Sequence, residues 1–274
     1  MSKEKGWRVL LGSFILLIVS YLIYFLRYPI WQSFVSVEVI NAVEILSSFV
    51  ILLVALLLLK RDSKKLLATV FENKGSRMIL VGLAFGLLYL GLYYLISFLL
   101  GSRFEFGSFP NLRGFESYAV YSLPLAFGLY LLFSVFGAFA EEVAYRGYVQ
   151  TRVSGRYGYI IGIVVSAFFF SLQHIHVYQT AWIARFFQIQ FFHVLLFGIF
   201  GGYLFFKSKE NIWCVFSMHA LTNAYSVSVP IVVTDAFPFT FYAAEIVSFT
   251  VMILLLRYLP LRASRDRDSL CLHS

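Results

Sequence analysis

The sequence predicts an all-α fold: a polytopic transmembrane helical bundle of about eight membrane helices, with N and C termini cytoplasmic. Three observations predict it. Hydrophobic residues make up 60% of the 274 and charged residues 13%, where soluble domains average about 45–50% and about 25%. Apolar runs recur along the whole chain, each long enough for a bilayer core of ~30 Å at ~1.5 Å per residue. Lysine and arginine gather in alternate connections between those runs.

The runs cover residues 7–26, 37–59, 78–100, 119–150, 157–177, 182–206, 212–231 and 237–258. The first has no small-residue cleavage site, so it is expected to stay as a span and not to be removed as a signal peptide. Lys3, Lys5 and Arg8 precede it, and Lys60, Arg61, Lys64, Lys65, Lys74 and Arg77 follow the second run. Arg152 and Arg156 follow the fourth, Lys207 and Lys209 the sixth, and Arg257, Arg262, Arg265 and Arg267 the last. The other connections hold only Arg27, Arg103, Arg113 and Arg185, which places both termini inside. The stretch 60–77 reads as a solvated inner loop, and 101–117, rich in Gly, Ser and Phe, as an outer loop. No internal repeat or soluble domain is visible, so residues 1–274 are read as a single membrane domain.

The basic loops and tail account for the net charge of +8 without a nucleic acid partner. Cys214 and Cys271 form neither a disulfide framework nor a metal motif. The final Cys-Leu-His-Ser is a coincidental likeness to a prenylation box, because His273 is not aliphatic.

Residues 138–150 are the stretch around which the rest is organised. They continue the fourth apolar run and carry Glu141 and Glu142, side by side, in or at the membrane. A charged side chain at the bilayer centre costs roughly 2.5–3.5 kcal/mol on insertion scales, so each needs a partner. Arg146 is four residues after Glu142 and shares its helical face. Glu141 points about 100° away and needs a partner from another helix. The candidates are His174, at the end of Phe170-Ser-Leu-Gln-His174, and His219 with Asn223, four apart on the seventh helix. His176 and His193 have no companion at helical spacing. The midpoint between 141 and 174 falls between Tyr157 and Gly158, in a turn-forming stretch. A hairpin bent there brings Glu141 and His174 to one depth, where they can hold a water and activate it. His219 and Asn223 can then donate to a developing oxyanion.

Other readings fit the same residues. A single intramembrane histidine is more often a helix–helix hydrogen bond than a catalyst. One carboxylate and two imidazoles suit a catalytic zinc, although there is no His-Glu-x-x-His signature. An ion or proton pathway uses the same residue types. On physics alone, a hydrolase and a transporter are evenly matched.

Glu141-Glu142-x-x-x-Arg146, Phe170-x-x-x-His174 and His219-x-x-x-Asn223, in that order, resemble the CAAX-protease and bacteriocin-processing family of intramembrane proteases, also called the Abi family. Gly147, and Gly198, Gly201 and Gly202 before His219, look similar too. The resemblance covers about residues 136–225, the expected catalytic core. It implies that Glu141 is the general base, that His174 helps to activate the water, and that His219 and Asn223 form the oxyanion site. Glu142 and Arg146 then support the geometry and Phe170 packs beneath. The family is often labelled metalloprotease, but the resemblance favours a glutamate-type peptidase with no metal cofactor, since the Asn223 amide is a poor zinc ligand.

The implied partners are membrane lipids and a peptide or protein substrate, with or without a lipid. Some members remove the last three residues of prenylated CAAX proteins, and others serve bacteriocin immunity, peptide maturation or regulation. The implied setting is a bacterial or archaeal cell membrane. The alternative is a non-proteolytic transporter, scaffold or immunity protein using the same polar cluster. Cytoplasmic access to the site is expected from the depth of Glu141 below the turn near Gly158.

Overall fold

The computed structural model describes residues 6–32, 37–62, 75–106, 123–175, 191–228, 231–234 and 238–259. Several expectations lie outside these residues: the location of both termini, Cys271, most of the basic stretch 60–77, Arg113, His176, Arg185 and the start of the sixth predicted span.

The helices are α1 (Gly6–Gln32), α2 (Val37–Asp62), α3 (Gly75–Leu99), α4 (residues 123–157), α5 (Tyr159–Leu172), α6 (Phe191–Lys207), α7 (Ile212–Ser228) and α8 (Pro238–Tyr258). A helix satisfies its own backbone, which hydrocarbon cannot do, so apolar sequence of this length is driven to it. Stretches of α2, α3 and α8 (Ala42–Lys60, Arg77–Leu99 and Thr240–Tyr258) are long and apolar enough to cross a membrane. The apolar parts of α1, α5 and α6 are shorter. At 14 residues, α5 rises only about 21 Å at ~1.5 Å per residue.

Two local departures from the sequence reading bear on the site. The seventh helix ends at Ser228 and not at 231: Ile231–Thr234 (β2) pairs antiparallel with Arg103–Phe106 (β1), Arg103 opposite Thr234. This ribbon ties the start of the expected outer loop to the end of α7. The fifth helix stops at Leu172, so His174 lies just beyond it. There the chain tightens to three-residue steps, His174 N–H donating to the Ser171 carbonyl at 3.1 Å and Ile175 N–H to that of Leu172 at 3.0 Å.

Lipid-facing and protein-facing residues are distributed inside out relative to a soluble domain. Phe14, Ile18 and Leu22 on α1, Leu46, Phe49, Leu53 and Leu57 on α2, and Leu80 and Leu87 on α3 are exposed. Glu44, Glu142, Arg146, Gln150, Gln173, His219 and Glu245 are buried. Apolar helices gain little by associating in lipid, so packing and polar contacts between them hold the bundle. The structure is that of an integral membrane protein.

Helix α7 packs on α3 and α4, α2 on α4, α5 on α6, and α8 on α3 and α6. Helix α4 is central. Its first part, Leu123–Glu142, leads into a π-helical stretch, Val143–Gln150, all of it buried, and then into Thr151–Tyr157. The widened ladder frees carbonyls that hydroxyls take up: Ser166 donates to the Tyr145 carbonyl at 2.7 Å and Thr151 to that of Arg146 at 2.9 Å. Such π segments concentrate at functional sites.

The expected hairpin forms at Gly158, which separates α4 from α5 with φ 88° and ψ 159°. Only glycine adopts that region readily. Gly158→Ala should therefore lower stability by roughly 1–3 kcal/mol, read as a fall in the thermal unfolding midpoint of detergent-solubilised protein. Gly128→Ala, on α4 with nothing near its added Cβ, should not lower it.

Candidate active site

Glu142 and Arg146 are fully buried, with Arg146 Nε 3.1 Å from Glu142 Oε2. The pair is the one that helical spacing predicts. It is anchored twice more: Glu142 Oε1 meets His219 Nδ1 at 2.8 Å, and Arg146 Nη2 donates to the Gly198 carbonyl at 3.3 Å. The guanidinium also stacks over the Phe170 ring, 4.6 Å from its centre.

One helical turn onward, Gln150 Nε2 donates to the Gly202 carbonyl at 2.8 Å. Two polar side chains four residues apart on α4 thus meet two carbonyls four residues apart on α6, which fixes the register of the two helices. This contact explains the glycines before His219. A Cβ at Gly201 would lie 2.9 Å from Arg146 Nη2, and one at Gly202 would lie 2.8 Å from Gln150 Oε1. The polar side chains cross α6 where it has no side chains of its own.

Glu141 faces a different set of partners. Gln173 Nε2 donates to its Oε1 at 2.7 Å, and His219 Nε2 lies 3.7 Å from its Oε2. His219 therefore stands between the two glutamates, one ring nitrogen toward each. The Glu141 side chain is 18% exposed, whereas that of Glu142 is sealed. Gln173 was missed as a site residue, although it stands next to His174 in the sequence. Its backbone neighbour is held from α1, where the Tyr21 hydroxyl donates to the Leu172 carbonyl at 2.8 Å. The first helix thus supports the site without carrying any of its motifs.

His174 Nδ1 lies 2.8 Å from the Phe170 carbonyl. A carbonyl only accepts, so Nδ1 carries the proton and a neutral ring presents Nε2 as an acceptor. The Phe170 ring is 4.9 Å from the His174 ring and 5.9 Å from that of His219, so one aromatic side chain separates and aligns the two imidazoles. Asn223 lies one turn beyond His219 on α7, and its Nδ2 donates to the Ser134 carbonyl on α4 at 3.3 Å. The fold thus joins Glu141, Glu142, Arg146, Gln173 and His219 in one set of contacts, with the Phe170 ring between His219 and His174 and Asn223 spanning from α7 to α4.

His219 directs both nitrogens at carboxylates, and among the described residues no three His, Cys, Asp or Glu side chains converge as metal ligands.

His193, read from sequence as lacking a companion, has one on a distant helix. Its Nδ1 lies 3.0 Å from Glu245 Oε1 on α8, and the Tyr89 hydroxyl donates to the same oxygen at 2.8 Å. Periodicity within one helix carries no signal for such a contact.

The Glu142–Arg146 pair should dominate stability. Removing either partner leaves the other charged and buried, which typically costs about 3–5 kcal/mol. Glu142→Gln and Arg146→Met should each lower the folded, monodisperse yield and the unfolding midpoint. The double variant should recover a large part of both losses, and additive losses would show that the two side chains act independently.

No curated protein matches the chain. Residues 123–225, from the start of α4 to the turn of α7 beyond Asn223, match the family model described as Rce1-like, type II CAAX prenyl endopeptidase. That segment, which builds this site, is thus similar to the CAAX prenyl endopeptidases that the family model describes.

Proposed function

We propose that the chain hydrolyses a peptide bond with a water activated by Glu141 and His174, as a glutamate-type peptidase. The family is one of proteases, so the substrate is a peptide or protein. The observation that carries the residue assignment is the unequal exposure of the two glutamates. Glu142 is sealed between Arg146 and His219, while Glu141 is held from one side by Gln173 and its side chain stays 18% exposed.

Glu141 takes one proton of the water, and His174 Nε2 accepts a hydrogen bond from the other. The water oxygen attacks the scissile carbonyl carbon, and the carbonyl π electrons move to oxygen. His219 donates Nδ1–H to Glu142 and turns its other ring edge toward the Glu141 side of the site, where that oxyanion forms. Asn223 contributes an amide N–H. Collapse of the tetrahedral intermediate breaks the carbon–nitrogen bond, and the leaving amine takes the proton from Glu141. No step needs a metal. Glu142, Arg146 and Phe170 keep His219 and Glu141 in place. The favoured substrate is a prenylated peptide whose flexible end enters from the cytoplasmic side.

The test is release of the C-terminal fragment from a prenylated peptide by purified protein in nanodiscs. Glu141→Gln and His174→Ala should each lower kcat by roughly 10²–10⁴-fold, and Asn223→Ala by about 10²–10³-fold. Unfolding midpoints should stay near that of the unaltered protein. Full activity in Glu141→Gln would sink the mechanism. Exhaustive chelation should leave the rate unchanged, and loss of activity with recovery on adding zinc would reverse the assignment of Glu141 and the histidines.

A further inference from the structure

The Tyr89–His193–Glu245 cluster joins α3, α6 and α8 and takes no part in the chemistry above. Its carboxylate is enclosed: the Glu245 side chain is 2% exposed, and both Tyr89 and His193 meet its Oε1. The accessible member is His193, whose side chain is 35% exposed. Its Nδ1 is the buried nitrogen, turned to Glu245. A carboxylate on one nitrogen orients an imidazole and favours its charged form, which leaves Nε2–H as a donor to an anion.

The cluster is linked to the candidate active site by a single side chain. The Phe197 ring is 6.4 Å from the His193 ring and 5.0 Å from that of His219. The two imidazoles are therefore no farther apart than these separations together. Three extended residues, at ~3.3–3.6 Å each, span about 10–11 Å, just short of that upper bound. The rings beside His193 are apolar: Phe197, which is buried, and Phe241, 6.2 Å away.

We propose that His193, held by Glu245, binds the free carboxylate at the C-terminal end of the peptide substrate. This rests on the peptidase reading and adds to it a reason for cleavage at a fixed distance from the chain end. Aliphatic side chains before that end pack on Phe241, which is partly exposed. The imidazolium and Glu245 together are neutral, so the carboxylate meets a donor and not a net negative site. A charge-assisted hydrogen bond of this kind is worth roughly tenfold or more in affinity.

The experiment measures binding of a prenylated tetrapeptide, as free acid and as C-terminal amide, to Glu141→Gln protein in nanodiscs, so that cleavage does not intervene. The acid should bind roughly tenfold or more tightly than the amide. His193→Gln, in the same background, should abolish that preference while leaving amide binding unchanged. His193→Ala combined with Glu245→Gln avoids an unpaired buried carboxylate and should behave alike, with unfolding midpoints showing that the variants are folded. Equal binding of acid and amide, a preference that survives in both His193 variants, or binding of neither peptide would overturn the proposal. If unaltered protein fails to cleave the peptide while the His193-dependent preference holds, the peptidase reading falls and the carboxylate site stands.

Discussion

Glu142, Arg146 and His219 are buried in a protein whose surroundings offer no water to screen them, and the arrangement of the central helices follows from that. A lone ion in such a place costs several kcal/mol, and a pair breaks even only with good geometry and further hydrogen bonds. Each charge here has more than one partner. The Glu142 oxygens reach Arg146 and His219, and Arg146 also reaches the Gly198 carbonyl and the face of Phe170. Those contacts require α6 to approach α4 closely, and glycines at 201 and 202 permit it, while Gly198 lies against Ala167 and Phe170 of α5. The π-helical stretch lies at the same place and is buried along its whole length.

The two adjacent glutamates find different surroundings because successive helical residues point in different directions. Glu142 turns into the ion pair, and Glu141 turns toward the end of α5 and the edge of α7. His219 is common to both and transmits the rigidity of one to the other. The site is thus held by groups that are themselves fixed in position, the condition for aiming dipoles at a transition state without reorganising them during the reaction.

The bundle solves the same electrostatic problem a second time at Glu245, with a tyrosine and a histidine in place of an arginine. Phe197 lies between the two solutions and touches a histidine of each. The arrangement puts the His193 and His219 rings on either side of one buried aromatic side chain.

The sequence by itself determined the membrane class, the order of the helices, the hairpin at Gly158, the Glu142–Arg146 pair and the three motifs. All of these follow from composition, apolar run length, four-residue spacing or the sequence likeness, which are local properties. Only the tertiary structure decided which partners Glu141 and His193 find, because Gln173, His219 and Glu245 lie on segments distant in the chain and nothing local encodes those contacts. The same holds for the strand pairing of 103–106 with 231–234, which joins segments far apart in the chain. The π-helical stretch was hidden for a related reason. Its widened ladder depends in part on a hydroxyl from the next helix, Ser166, and no residue within 143–150 announces that partner.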